Sequence, residues 1–124
     1  MVPNINTKLI EDDRVGKYLY TDGIGMISSD LVKKIQNEVE SDSTVYQVRY
    51  QGAKGILALN SKLPANTIVL RDSMKKFECP MKEANEYLDI LDQNYYKPGY
   101  LNRQIVILLH ANKIEPNNFL NIQT

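Results

Sequence analysis

The chain has 124 residues, which is one domain's worth of sequence and enough to bury a hydrophobic core. Its 15 Lys and Arg residues balance its 15 Asp and Glu residues, so any attraction to nucleic acid or to an anionic membrane must come from a local patch. A single Cys and a single His exclude an intrachain disulfide and metal sites built on cysteines or on histidines.

Nothing in the sequence predicts a membrane protein. The longest apolar run, Ile105 to Leu109, is far too short to cross a bilayer. The first fourteen residues lack the apolar centre of a signal peptide. We therefore expect an intracellular protein of the cytoplasm or nucleus, without a membrane partner.

The N-terminal part of the chain is predicted to be a polar lead-in, residues 1–15, with a solvated acidic run at Glu11–Asp13. Short strands follow at Lys17–Tyr20 and Met26–Ile27. Gly23 lies between them, where the chain can turn tightly or let another backbone approach.

A helix is predicted to begin at Ser28-Ser29-Asp30 and to end at Ser41. A serine hydroxyl can cap free backbone N–H groups, and an acidic residue is favourable at the positive end of a helix. Leu31, Ile35 and Val39 then recur every four residues, which predicts one apolar face.

Three strands are predicted in the next stretch. Residues 45–51 alternate, with Tyr46, Val48 and Tyr50 on one face. Gly52 and Gly55 are expected to bracket Lys54 in a turn. The apolar run Ile56–Leu59 then predicts a strand covered on both faces, and Thr67–Arg71, after a loop, predicts a strand with Ile68 and Leu70 inward.

The C-terminal third is less regular. Residues 73–77 suggest a turn or one helical turn, and Tyr87–Asp92 a strand, although Glu83–Leu91 could be a helix by propensity. The five consecutive apolar residues within Leu101–Ala111 predict a helix buried on most sides. A last helix is predicted to start at Glu115-Pro116.

This order of elements predicts an α+β protein that is mainly β, with a small barrel decorated by helices. We divide the chain into the lead-in at 1–15, a barrel at 16–98 and C-terminal helices at 99–124.

Positive charge is concentrated between Val45 and Phe77. This stretch contains one acid, Asp72, and six bases: Arg49, Lys54, Lys62, Arg71, Lys75 and Lys76. Taken singly, each of these basic residues is interpreted as a solvated side chain, and Lys54 as an ordinary hairpin lysine. Together they indicate a polyanion-binding surface, without distinguishing DNA, RNA, nucleotides or acidic lipid.

Four segments resemble, in order, motifs of the eukaryotic-type cellular RNA-dependent RNA polymerases, the RNA-silencing family. They are TDGIGMISSDL (21–31), YQVRYQGAKGILAL (46–59), VLRDSMKKF (69–77) and YLNRQIVILLHANKI (100–114). The resemblance covers roughly residues 18 to 123.

This resemblance implies a six-stranded double-psi β-barrel with an inserted helix. The family places two such barrels face to face, and one carries an Asp-x-Asp-Gly-Asp motif that holds catalytic magnesium. That motif does not occur in this chain. The resemblance therefore implies a fragment of a larger polymerase, containing the other, basic barrel and the helices after it.

The implied chemistry is nucleotidyl transfer, in which a primer 3′-hydroxyl attacks the α-phosphate of a nucleoside triphosphate. Mg²⁺ would act in the parent enzyme, with ligands outside this chain, and none is expected on this chain alone. The basic wall would bind the triphosphate and RNA. We expect Lys54 to contact phosphate in the transition state, and list the RNA- or substrate-binding candidates as Lys54, Arg71, Lys75, Lys76, Arg49 and Arg103. Of these, Arg49 and Arg103 could be structural instead.

For the isolated chain we expect weak, salt-sensitive RNA binding without catalysis. The expected partners are RNA, nucleoside triphosphates and the rest of the polymerase. The competing hypothesis is a non-catalytic RNA-binding or assembly module, because double-psi barrels occur in proteins that do not polymerise. In that case the apolar C-terminal helices could pack on a partner or form a homodimer.

Overall fold

The computed structural model describes residues 5–79 and 87–123. Within these ranges the elements follow in the order β1 (Asn6–Ile10), β2 (Arg14–Val15), β3 (Tyr18–Leu19), β4 (Ile24–Ile27), α1 (Ser29–Val39), β5 (Val45–Tyr50), β6 (Ala53–Leu59), β7 (Thr67–Arg71), a 3₁₀ turn (Asp72–Met74), β8 (Asp89–Gln93), α2 (Arg103–Ala111) and α3 (Pro116–Gln123).

Six of the strands form one mixed sheet in the order β1-β7-β4-β6-β5-β8, and β2 pairs with β3 in a separate hairpin. The pairs β1–β7 and β4–β6 are parallel, whereas β4–β7, β5–β6 and β5–β8 are antiparallel. The α+β class is confirmed, and the main sheet has six strands, but β1 is one of them and the predicted strand at Lys17–Tyr20 instead contributes β3 to the separate hairpin. In the described residues β1 and β8 are unpaired edges, so this sheet is not closed into a barrel.

The sheet is nevertheless strongly curled. Thr7 on edge strand β1 lies with its Oγ1 3.2 Å from the Tyr50 hydroxyl on β5, although three strands separate β1 from β5 in the sheet order. A flat sheet could not bring these side chains together, because neighbouring strands lie about 4.8 Å apart.

The β5–β6 hairpin confirms the predicted alternation, since Tyr46, Val48 and Tyr50 are buried. Its turn consists of Gln51 and Gly52, which have φ angles of 45° and 78°. Two left-handed residues are typical of the tightest hairpin turns. The prediction that Lys54 lies in the turn is wrong, because β6 already begins at Ala53.

Helix α1 buries Leu31 and Ile35 as predicted. Ser28 precedes the helix but does not cap it, because its Oγ accepts a hydrogen bond from the backbone N–H of Thr67. The Asp30 carboxylate accepts one from the N–H of Asn66. A hydrogen bond from the Ser28 hydroxyl, together with those from backbone N–H groups, keeps the pKa of Asp30 below its usual value despite partial desolvation. The start of α1 is thus bonded to the loop before β7.

Two strands are buried differently from the prediction. Strand β6 buries Leu57 but leaves Ile56 and Leu59 exposed, so it is not covered on both faces. Strand β7 buries all four residues from Thr67 to Leu70 instead of alternating. Burial of successive residues means that both faces of β7, which lies between β1 and β4, are covered.

The segment predicted as a lead-in contains strand β1. It pairs in register with β7, from Asn6 opposite Thr67 to Ile10 opposite Arg71. Four of its five residues are exposed, so backbone hydrogen bonds rather than side-chain burial define the strand. An alternation of apolar residues could therefore not reveal it.

Strand β8 is confirmed, while residues 80–86, where the helical alternative begins, lie outside the described ranges. Helices α2 and α3 form where predicted, and the Asn102 side chain caps α2 by accepting from Ile105 N–H. The predicted burial of α2 is wrong, because no residue of the helix is buried. Neither α2 nor any other helix within the described ranges is both long and apolar enough for a membrane span.

Two glycines allow backbones to touch inside the sheet. A Cβ added to Gly55 would lie 2.3 Å from the carbonyl oxygen of Gly23, and one added to Gly25 would lie 2.3 Å from that of Val69. The Gly23 oxygen also accepts a 2.8 Å hydrogen bond from the N–H of Ile56. The glycine turn before β4 is thus packed directly against β6.

We expect Gly55→Ala to lower the free energy of unfolding by about 1–3 kcal/mol, because the added methyl group collides with backbone rather than with a flexible side chain. Chemical denaturation followed by circular dichroism would measure the loss. Gly99→Ala is the matched control, since nothing lies within 4 Å of the added Cβ. Equal stability of the two variants would contradict the proposed close packing.

Candidate nucleic-acid interface

Two of the predicted basic residues face each other across the β5–β6 hairpin. Arg49 on β5 is in register with Lys54 on β6, and on its other side with Asp89 on β8. All three are exposed. Directly opposed residues in antiparallel strands have Cβ atoms about 4.5–5.5 Å apart, so the row places two cations beside one carboxylate.

Backbone contacts bring a third cation to the same place. The N–H of Lys76 donates to the Gly52 carbonyl at 2.9 Å, and Lys75 forms a bridge with Ala53. These contacts fasten the segment after the 3₁₀ turn to the tip of the β5–β6 hairpin. Lys76 therefore lies next to Arg49 and Lys54, although more than twenty residues separate it from either in sequence.

These side chains line a cleft of about 520 Å³, which we call the basic cleft. Its volume is in the range of small-molecule binding sites. Among the residues that the structure describes, Asp89, which the sequence analysis did not single out, is the one acidic residue of the lining. The described lining is Arg49, Tyr50, Gln51, Gly52, Ala53, Lys54, Lys76, Phe77, Cys79, Tyr87 and Asp89.

The other three predicted site residues lie outside the basic cleft. The Nζ of Lys75 forms a 2.7 Å ion pair with Glu78 and lines a second pocket of about 250 Å³. Arg71 donates to two backbone carbonyls, from Nε to Ile24 at 2.9 Å and from Nη1 to Glu11 at 3.0 Å. Exposed Arg103 begins α2. Phosphate contacts by these residues stay predictions.

Asp12 has a structural role that the sequence analysis missed. Its carboxylate accepts hydrogen bonds from the backbone N–H and hydroxyl of Ser73, at 2.9 and 2.7 Å, and from the hydroxyl of Thr21 at 3.0 Å. The Ser73 Oγ in turn accepts from the N–H of Gly23. We call these four residues the Ser73 junction. The interpretation of Asp12 as part of a solvated charge run is therefore wrong.

The junction holds Asp12 in its ionised form. Partial desolvation opposes ionisation, but the hydrogen bonds from Ser73 and Thr21, assisted by the charge of Arg71, outweigh it and keep the pKa of Asp12 below its usual value. No sequence pattern could have found this arrangement, because Ser73 lies 61 residues from Asp12. The N–H of Gly23 in the glycine turn is thus bound by Ser73.

A family model described as RNA dependent RNA polymerase matches residues 2–124. The chain belongs to the RNA-dependent RNA polymerase family. This confirms the resemblance carried by the four motifs, to the polymerases of the RNA-silencing type. The match extends from ahead of β1 through α3, so all the elements described above belong to the family's region.

Curated polymerases agree with this assignment. The chain is 35% identical to RNA-dependent RNA polymerase 6 of Arabidopsis thaliana over 128 residues. This alignment covers 99% of the chain and 10% of that protein. It is 36% identical to RNA-dependent RNA polymerase 1 of the same plant over 96 residues, an alignment that covers 75% of the chain and 8% of that protein. The chain thus spans about a tenth of these polymerases.

A solved polymerase has the same fold. The RNA dependent RNA polymerase QDE-1 from Thielavia terrestris matches with a TM-score of 0.75 over 90% of this chain and 13% of its own, at 24% sequence identity. The mixed sheet and its helices are therefore a polymerase fold.

The residues of the basic cleft do not fit the magnesium ions that the family implies. Within residues 5–79 and 87–123, no group of three or more His, Cys, Asp or Glu side chains is gathered where it could hold a metal ion. The described lining of the cleft has one carboxylate among three cations, whereas a divalent-cation site gathers several oxygen ligands.

The Ser73 junction makes stability depend on pH. Because the folded-state pKa of Asp12 is lower than its unfolded-state pKa, its contribution to stability is complete above the unfolded-state pKa and is lost as pH falls through the folded-state pKa. Asp12→Asn removes this linkage. We therefore expect the stability of the wild-type chain to fall more steeply below about pH 4 than that of Asp12→Asn, in urea titrations over a pH series.

Asp13→Asn is the matched control, because the exposed Asp13 carboxylate accepts no hydrogen bond from the part of the chain that the structure describes. It should keep the wild-type pH dependence. Parallel acid profiles for wild type and Asp12→Asn would show that the junction does not depend on ionised Asp12.

Proposed function

We propose that this chain forms the basic wall of an RNA-directed RNA polymerase active site, binding the phosphates of nucleoside triphosphates and RNA. The observation that carries the proposal is the basic cleft, whose described lining contains three cations, Arg49, Lys54 and Lys76, and one carboxylate, Asp89. The chain as a whole is neutral, so this cluster is a local excess of positive charge. Family membership supports a role in polymerisation rather than in binding another polyanion.

The charges of the cleft suit phosphate chemistry. Arg49 and Lys54 repel each other across the hairpin, and this repulsion is relieved when an anion binds between them. Asp89, in register with Arg49 on the neighbouring strand, compensates part of the Arg49 charge, which leaves Lys54 and Lys76 as the less compensated cations. We assign Lys54 the central phosphate contact, with Arg49 and Lys76 beside it.

In nucleotidyl transfer, a bond forms between the 3′-oxygen of the growing strand and the α-phosphorus, while the bond to pyrophosphate breaks. Negative charge accumulates on the phosphate oxygens in the transition state. Fixed cations stabilise that charge and hold the triphosphate in position. The proposed contribution of this chain is limited to that positioning and charge stabilisation.

The proposal includes completion of the sheet as a double-psi β-barrel within the parent polymerase. Its supports are the mixture of parallel and antiparallel pairs, the curl that joins Thr7 to Tyr50, and the fold likeness to a solved polymerase. A second, acidic wall on the rest of the polymerase would supply the metal-binding carboxylates. We therefore propose that the chain alone is inactive in synthesis.

A second candidate function is a non-catalytic assembly module. The observation that favours it is the exposed apolar surface of the C-terminal helices, including a pocket of about 350 Å³ between α2 and α3. Ile105, Ile107 and Leu108 are 43–58% exposed. Such a surface could contact the rest of the polymerase or a second copy of the chain. It does not account for the cations of the cleft, which is why we rank it second.

The first test is RNA binding by the chain. We expect single-stranded RNA to bind weakly and the affinity to fall as salt rises, because phosphate contacts release counterions. Lys54→Ala should reduce the slope of log K against log salt by about 0.7, the loss of one phosphate contact on a single strand. Fluorescence anisotropy at several salt concentrations measures both quantities.

Lys62→Ala removes the same charge from an exposed loop outside the basic cleft, and serves as the matched control. It should bind like the wild type. Equal effects of the two substitutions would mean that binding follows net charge and that the cleft is not the site. Absence of salt-dependent binding would favour the assembly module.

The second test is synthesis by the parent polymerase. Lys54→Ala at this position should lower RNA synthesis by about 10²–10³-fold, the usual effect of removing one preorganised group that stabilises transition-state charge. Folding should be retained, because Lys54 is exposed. Primer extension measures the synthesis, and thermal denaturation measures the folding. Wild-type synthesis by the variant would mean that Lys54 is only a solvated lysine of the hairpin.

A further inference from the structure

Two large aromatic side chains line the basic cleft without being buried in it. Phe77 is 63% exposed and Tyr87 is 56% exposed. Exposing an aromatic ring forgoes the favourable transfer of its apolar surface out of water. Both rings lie among the cations, and neither belongs to the chain's hydrophobic core.

The position of Phe77 is fixed by the hairpin turn. A Cβ added to Gly52 would lie 2.5 Å from the Phe77 carbonyl oxygen and 3.3 Å from Cδ2 of its ring. The preceding residue, Lys76, is hydrogen-bonded through its N–H to the Gly52 carbonyl. The ring therefore rests against the turn, beside the residues that carry the charge.

Tyr87 reaches the cleft from the other side of the hairpin. It lies two residues before Asp89, which is in register with Arg49 at the start of β8. The cleft thus has aromatic side chains from both the segment after the 3₁₀ turn and the segment before β8. Cationic side chains from β5 and β6 lie between these two segments.

We infer that Phe77 and Tyr87 form a stacking surface for a nucleobase whose phosphate is bound by the cations of the basic cleft. This inference rests on the proposed function and extends it from the phosphates to the base. Sites that bind single-stranded nucleic acid without reading its sequence combine a positive groove with exposed aromatic rings, because every base has a π face. Stacking on these rings would accept any of the four bases.

The chain contains no tryptophan, so a single introduced tryptophan reports on its own surroundings. Phe77→Trp keeps an aromatic ring at the position and places the reporter in the cleft. Tyr96→Trp is the matched control, because Tyr96 is 94% exposed and lies outside the cleft lining. A short oligoadenylate should quench the emission of Phe77→Trp and leave that of Tyr96→Trp unchanged.

The ligands separate base from phosphate. An abasic phosphodiester of the same length and charge should bind about tenfold more weakly than the oligoadenylate, the size of effect that one stacked base produces. Phe77→Leu should lose about tenfold in affinity for the oligoadenylate and nothing for the abasic strand. The same comparison is made between ATP and ribose triphosphate, which lacks the base. It distinguishes stacking of the base of an incoming nucleotide from stacking of a base of the RNA strand.

Equal affinity for base-bearing and abasic ligands, in both the strand and the triphosphate pairs, would overturn the stacking surface. So would equal losses by Phe77→Leu for both members of each pair. Failure of the proposed function would give a different result. Binding of the abasic ligands would then not depend on salt concentration, whereas the comparison of base-bearing with abasic ligands would still test the aromatic rings. Absence of binding by every ligand would overturn both proposals.

Discussion

The hydrogen bonds of Ser73 hold the parts of this molecule together. Its hydroxyl and N–H donate to Asp12, and its Oγ accepts from the N–H of Gly23. The carbonyl of Gly23 accepts from Ile56, beside the close contact at Gly55. One serine thereby joins the segment after β1, the glycine turn before β4 and the strand that carries Lys54. Arg71 supports the same arrangement, because it donates to the carbonyls of Glu11 and Ile24.

The basic cleft depends on that arrangement. Lys54 lies on the strand that contacts the glycine turn, and Lys76 follows the 3₁₀ turn that contains Ser73. The backbone bond from Lys76 to Gly52 then closes the distance between them. Holding like charges near each other costs free energy, so the rigid backbone contacts are what keep the site preorganised for an anion. Asp89 offsets part of that repulsion from the neighbouring strand.

The exposed apolar surfaces agree with a chain that spans about a tenth of its curated relatives. Ile56 and Leu59 on β6 and the apolar residues of α2 remain open to solvent in the described ranges. In the proposed parent polymerase, contact with further domains would bury them. The cleft rings of Phe77 and Tyr87 differ from these surfaces, because cations flank them and a ligand rather than a protein domain is their proposed partner.

The sequence alone determined the family, the α+β class, the alternation of β5, the helices and the concentration of positive charge, because each depends on neighbouring residues or on a linear motif. The tertiary structure alone decided which cations meet. In the structure Lys54 lies on a strand opposite Arg49 and not in the turn. A backbone hydrogen bond places Lys76 beside them. Arg71 donates hydrogen bonds to backbone carbonyls. It also revealed β1 and the role of Asp12. These features depend on contacts between residues up to 61 positions apart, for which a single sequence carries no periodic signal.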